Sequence, residues 1–117
     1  MTAPAEGIEI VVGVDDSPNS QAALEWAARD AVLRKAPLAI LYAAAVSVST
    51  WPIAPVPTGI VEFQQEIGRD ILTDAGNSAQ NLTQGSVPVS THFAVGTPAT
   101  ALIEASKTAA MVVVGSR

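Results

Sequence analysis

No cysteine occurs among the 117 residues, which excludes disulfide frameworks, thiolate zinc sites and cysteine nucleophiles and agrees with a reducing compartment. Cations are scarce too: six Lys and Arg stand against eleven Asp and Glu, a net charge of -5. Binding to nucleic acid or to an anionic membrane without sequence specificity relies on clustered Lys and Arg, so neither partner is expected. The single histidine, His92, has no cluster of serine, cysteine or carboxylate that makes a triad or metal site, and reads as a structural or surface residue. No apolar run approaches the roughly 20 residues that span a bilayer. Met1 to Gly7 shows no basic segment leading into an apolar stretch with a small-residue cleavage site, and the expected location is cytoplasmic. Repeats at solenoid spacing are absent. What remains is a folding composition, 49% hydrophobic and 15% charged, sufficient for one core and expected to form a single domain over residues 1–117.

The chain is organised around Ile8 to Val14 and the Asp15-Asp16-Ser17-Pro18 turn after it. Ile8, Ile10, Val11, Val12 and Val14 form a nearly continuous β-branched run, which suits a strand covered on both faces as in a parallel sheet. Ser17 reads as a helix N-cap, and Pro18 suits the first helical position because its φ is already helical and its missing N–H has no partner to lose there. Asn19 to Lys35 is an alanine-rich helix whose apolar set includes Ala22, Ala23, Trp26, Ala27, Ala31 and Leu33, with Trp26 expected in the core. Leu38 to Ala45 is a second buried strand, completing a βαβ unit.

Ser47 to Gly59 holds Trp51, Pro52, Pro55 and Pro57, a proline density that favours a long loop. Its aromatic and prolines could dock a partner, but a surface crossover is the simpler reading. Between Ile60 and Gln84, Phe63, Ile67, Ile71, Ala75 and Ala79 recur every fourth residue with Leu72 and Leu82 beside them. That pattern predicts a second helix, weakened or kinked at Gly76-Asn77 and stopped at Gly85. Val89 to Val95 alternates in part and fits a third strand nearer an edge. Gly96-Thr97-Pro98 repeats the first turn's device ahead of a third helix carrying Leu102, Ile103 and Ser106, and Met111 to Val114 is a fourth strand opening onto Gly115-Ser116-Arg117.

Three of these stretches, "IVVGVDDSPNSQAALEWA", "VGTPATALIEAS" and "MVVVGSR", together resemble the universal stress protein family, in the family's order and over about Ile8 to Arg117. The resemblance implies an α/β fold of the Rossmann-like, adenine nucleotide alpha hydrolase-like kind: an open parallel sheet ordered 3-2-1-4-5 with helices on both faces. For this sequence the expected order is 3-2-1-4 with the fifth strand missing. The chain also resembles one half of the actinobacterial tandem members, which regulate growth or survival under stress. Many members bind ATP with no turnover role, so a regulatory adenine-nucleotide (ATP) binding module, not an enzyme, is expected.

Carried over residue by residue, the resemblance makes Asp15 the first-turn aspartate beside the nucleoside, flanked by Gly13 and Val14. Ala43 becomes a second-strand residue whose backbone meets adenine, while Val114 and Gly115 form the far wall. The family's nucleotide signature runs glycine, two residues, glycine, nine residues, then Gly-Ser or Gly-Thr. Gly115 matches its first glycine and nothing after Arg117 supplies the rest, so the domain is expected to be incomplete at its C-terminus and to lack the phosphate-binding half. Ala110 departs from the aspartate that many members carry on entering the fourth strand.

Chemistry gives an overlapping expectation. Adenine needs an apolar slot with backbone donors and acceptors, and a ribose hydroxyl needs an acceptor such as Asp15. A triphosphate needs a cradle of successive N–H groups. Two carboxylates at the turn repel phosphate unless a divalent cation, Mg2+, lies between. Asp15 and Asp16 also suit a plain turn, bonding nearby N–H groups, and Gly115 also suits a simple strand end. The alternative function is an interaction or dimerisation protein of the same fold that binds no nucleotide. A fourth strand with an open edge points the same way, toward a homo-oligomer.

Overall fold

Short β-branched runs joined by capped helices build a four-stranded sheet and three helices in the computed structural model, which describes residues 9–15, 17–44, 58–95 and 98–115. In chain order these are β1 (Ile10–Gly13), α1 (Pro18–Arg34), β2 (Leu38–Ala44), α2 (Thr58–Thr83), β3 (Val89–Val95), α3 (Pro98–Ser106) and β4 (Met111–Val114). Every pairing is parallel and the order is β3-β2-β1-β4, the order expected from the sequence. Ile8, Asp16, Ala45, the Trp51 to Pro57 stretch, the Thr97 cap, Ser116 and Arg117 lie outside the described residues.

Strand β1 is shorter than the Ile8 to Val14 run that composition predicts. Val14 still donates to Leu41 O at 2.9 Å, but the N–H of Asp15 turns away to Ser20 Oγ and the ladder ends. Ile10 pairs with Leu38 on one side and Met111 on the other, so the carboxyl ends of β1, β2 and β4 rise to one crest.

Alternation divides the sheet into two layers. Ile10, Val12, Val14, Leu38 and Ile40 join Ala23, Leu24, Ala27, Ala28 and Ala31 of α1 and Leu72, Ala75 and Ala79 of α2 in one core. On the other face α3 packs over β1, β2 and β4, with Leu102 against Gly13. Helices therefore cover both faces. The alanines of α1 let its axis lie close to the strands. Trp26 and Leu33 do not belong to that inner stripe. They are 52% and 81% exposed, because the buried positions run Ser20, Ala23, Leu24, Ala27, Ala28, Ala31, and at 3.6 residues per turn Trp26 and Leu33 fall on the opposite flank.

The caps follow the local chemistry. Ser17 is extended (φ -85, ψ 155) and its Oγ accepts the Ser20 N–H at 3.3 Å. Lys35, expected as the last helical residue, is instead the left-handed C-cap (φ 55), and the Ala36 N–H returns to Ala31 O at 2.9 Å. Helix α2 passes through Gly76-Asn77 without a break. Burial of Leu72, Ala75 and Ala79 on either side of that pair outweighs its poor intrinsic propensity. Leu82, expected beside the apolar stripe, is more than one-third exposed. The same helix lies so near the Tyr42–Phe93 ring pair, centroids 5.8 Å apart, that a Cβ on Gly68 would overlap the Phe93 ring.

Candidate functional site

The chain leaves β1 toward β2 on one side and returns through α3 to β4 on the other, so a topological switch point lies between β1 and β4. In open α/β sheets ligands sit beyond the strand ends at that point. A cavity of about 160 Å³ opens there. Gly13, Val14, Asp15, Ala43, Val114 and Gly115, the six residues singled out in the sequence, all line it. Ser17, Ser20, Leu41 and Leu102 line it as well and were missed. Leu41 and Leu102 were visible only as strand and helix residues, since which of their neighbours faces the cavity depends on the sheet register. The Asp15-Asp16-Ser17-Pro18 turn marks Ser17 as a helix N-cap, but nothing local marks Ser20, whose place in the lining depends on how the turn folds.

The near lip is the β1–α1 turn. Asp15 Oδ1 accepts the Ser17 N–H at 2.8 Å, the Asp15 N–H donates to Ser20 Oγ at 2.9 Å, and the Ser20 N–H donates to Ser17 Oγ at 3.3 Å. Asp15 thus makes the local turn bond open to any aspartate before a helix while also standing at the cavity mouth. The far lip is the end of β4. A Cβ on Gly115 would lie 2.5 Å from Asn19 O and 2.7 Å from Asn19 C, so the backbone there rests directly on the first turn of α1. Glycine is what permits that approach.

Small and apolar groups, Gly13, Ala43, Leu41, Leu102 and Val114, form the walls, and Asp15 is the one ionisable side chain of the lining among the described residues. A flat heteroaromatic ring fits such walls, and a hydroxyl fits the acceptor at the rim. A phosphate cradle is not offered by the described part of α1: Pro18 has no N–H, the Ser20 N–H is engaged by Ser17, and a carboxylate stands beside them. His92 is not part of the crest cavity's lining: it pairs with Leu41 from edge strand β3, where it is exposed with Nε2 3.0 Å from Ser90 Oγ. Among the described residues no three or more His, Cys, Asp or Glu side chains come together to hold a metal, and no helix is long and apolar enough to cross a membrane.

The sequence model of the Universal stress protein family matches residues 9–117. Universal stress protein Rv2623 of Mycobacterium tuberculosis (strain ATCC 25618 / H37Rv) is 39% identical over 118 residues, which is 98% of this chain and 39% of that protein. Universal stress protein Rv2005c of the same strain is 35% identical over 99% of this chain and 40% of that protein. The chain therefore spans about two-fifths of the length of these curated relatives. Among solved structures, universal stress protein UspA from Lactobacillus plantarum aligns with a TM-score of 0.76 at 22% identity, over 96% of this chain and 81% of that one, a likeness of fold. A universal stress protein solved in complex with cAMP aligns with a TM-score of 0.60 at 27% identity, over 86% of this chain and 64% of that one. By sequence and by fold, the chain belongs to the universal stress protein family.

Proposed function

We propose that this chain is a regulatory adenine-nucleotide-binding module whose crest cavity takes the adenosine part of ATP, and that it acts in a stress response by binding and not by turnover. The observation that carries the reading is the placement of Asp15 and Gly115 on facing lips of one apolar-walled cavity at the switch point. In this reading Gly13 and Ala43 present backbone edges to adenine, Leu102 and Val114 enclose the ring, Asp15, flanked by Val14, accepts from a ribose hydroxyl, and Gly115 closes the far side. The related protein solved with cAMP supports an adenine nucleotide as the ligand class. In this reading the phosphates extend out of the cavity, with Mg2+ to shield them from Asp15. A cytoplasmic location suits a reader of nucleotide levels.

Equilibrium dialysis with ATP tests the reading. Micromolar binding is expected, weakened roughly 10- to 100-fold by Asp15→Ala, the equivalent of a charge-assisted hydrogen bond of about 1.5–3 kcal/mol. No retained ATP, or retention indifferent to Asp15, refutes it.

A second reading, self-association through the sheet edge, is favoured by one feature. Among the described residues β4 pairs with β1 alone, its four residues Met111–Val114 carry no charge and no proline, and Trp26 with Ala22 of α1 lines an open groove beside Val113 and Val114. Uncharged edges of this kind pair with other strands. Light scattering across a concentration series should show a dimer that Trp26→Glu shifts toward monomer. A monomer at every concentration excludes this mode.

A further inference from the structure

Ser20 is 5% exposed on the inner face of α1, where the helix otherwise presents alanine and leucine to the sheet. Packing alone has no use for a hydroxyl there, since alanine at this position would continue the run through Ala23, Ala27 and Ala31. Buried hydroxyls are kept where they make hydrogen bonds that nothing else supplies. The oxygen of Ser20 accepts the N–H of Asp15, five residues back, at 2.9 Å.

That bond is displaced from the usual helix-start arrangement. In a capping box the third helical residue returns its side chain to the N–H of the N-cap residue. Here the N–H of the N-cap, Ser17, is already taken by Asp15 Oδ1 at 2.8 Å, and Ser20 reaches past it to Asp15. Asp15 is consequently tied to the start of α1 at two points, its backbone N–H and its carboxylate. The turn lies between two cavities. The crest cavity opens on one side of it, and a second cavity of about 400 Å³, floored by Leu24, Ile71 and Ala75, opens on the other, with Asp15, Ser17 and Ser20 lining both. With open space on both sides, the two hydrogen bonds of Asp15 are what tie its carboxylate end to the helix start.

We infer that Ser20 is the positioning residue for Asp15: by holding the Asp15 N–H it sets the direction from which the carboxylate meets a ligand hydroxyl, and so makes the crest cavity selective for a ribonucleoside over its deoxy counterpart. The inference rests on the nucleoside reading of that cavity and adds to it the source of sugar selectivity.

Calorimetric titration of the full chain with adenosine, 2′-deoxyadenosine and 3′-deoxyadenosine tests it, using Ser20→Cys, which keeps the volume but offers a poor acceptor, and Ser20→Thr, which keeps the hydroxyl. The wild type should prefer adenosine to its weaker deoxy analogue by about tenfold. Ser20→Cys should bring the two affinities to near equality by weakening adenosine alone, Ser20→Thr should retain the preference, and Ser20→Cys should add nothing in an Asp15→Ala background. An undiminished preference in Ser20→Cys overturns the inference, and so does an equal loss for all three ligands, which is the mark of a merely structural serine. Failure of the wild type to bind adenosine at all overturns the cavity reading beneath it instead. A further readout needs neither ligand nor variant: the Asp15 amide of the wild type should be protected from hydrogen exchange, and free exchange there contradicts the inference even if Ser20→Cys does not fold.

Discussion

Gly115→Ala is expected to lower the unfolding free energy by about 1–3 kcal/mol, the usual range for forcing an extra methyl into a packed contact, and to weaken nucleotide binding at least as much as Asp15→Ala does. The atoms a new Cβ would meet are Asn19 O and C at 2.5 and 2.7 Å and Ser20 N at 3.0 Å. These are backbone atoms, and no rotamer change can withdraw them. Either the end of β4 or the first turn of α1 has to move. If the turn of α1 moves, Ser20 moves with it and carries the Asp15 N–H bonded to its Oγ, so strain at the far lip is passed to the near one. Binding groups have to be held to within about 0.5 Å of their productive geometry, so a shift of that turn is felt in affinity as well as in stability. Urea denaturation combined with equilibrium dialysis reads both effects on one sample. A Gly115→Ala protein of wild-type stability and affinity shows that β4 does not rest on α1 in solution.

Leu24→Ala should cost about 2–5 kcal/mol, whereas Leu33→Ala, the same change on the same helix, should stay within about 0.5 kcal/mol. Leu24 is 1% exposed among Val14, Ile40 and Leu72, while Leu33 is 81% exposed. Against the ordinary stability of a folded protein, about 5–15 kcal/mol, the first loss is a large share of the total. The pair isolates burial from helix propensity, since both leucines sit within α1 and both become alanine. Urea midpoints for the two variants decide it, and similar midpoints contradict the orientation of α1 described above.

The leucine pair also marks where the sequence ceased to be legible. Strand and helix order could be read because β-branched runs, Ser-Pro and Thr-Pro helix starts and a glycine stop are local signals, each satisfied within a few residues of chain. The face of α1 is a different matter. Alanine occurs on both sides of this helix, so spacing admits more than one apolar stripe, and Trp26 and Leu33 were drawn into the wrong one. Tertiary packing selects the stripe built from Ala23, Ala27 and Ala31, whose small side chains let the helix approach the sheet.

Gly76-Asn77 misleads for a related reason, since propensity is a weak prior where flanking residues are buried. Gly68 gives no warning of its part, because its closeness to Phe93 depends on how α2 is set along β2 and β3. At the crest, strand ends and parallel connections together bring Asp15, Ala43 and Gly115 to one cavity, and such ends can be recognised in sequence. Ser20 could not be recognised in the same way. A serine in the first turn reads as an ordinary helix-start residue, and its burial and its bond to Asp15 emerge only when the turn is folded.

The most direct test of the crest cavity is an NMR titration of the full chain with adenosine, following backbone amides. The signals of Gly13, Asp15, Ala43 and Gly115 should move together along one binding curve, because the two lips and the slot between them close on a single ligand. Saturable binding that leaves those four amides in place, or no binding at all, contradicts it.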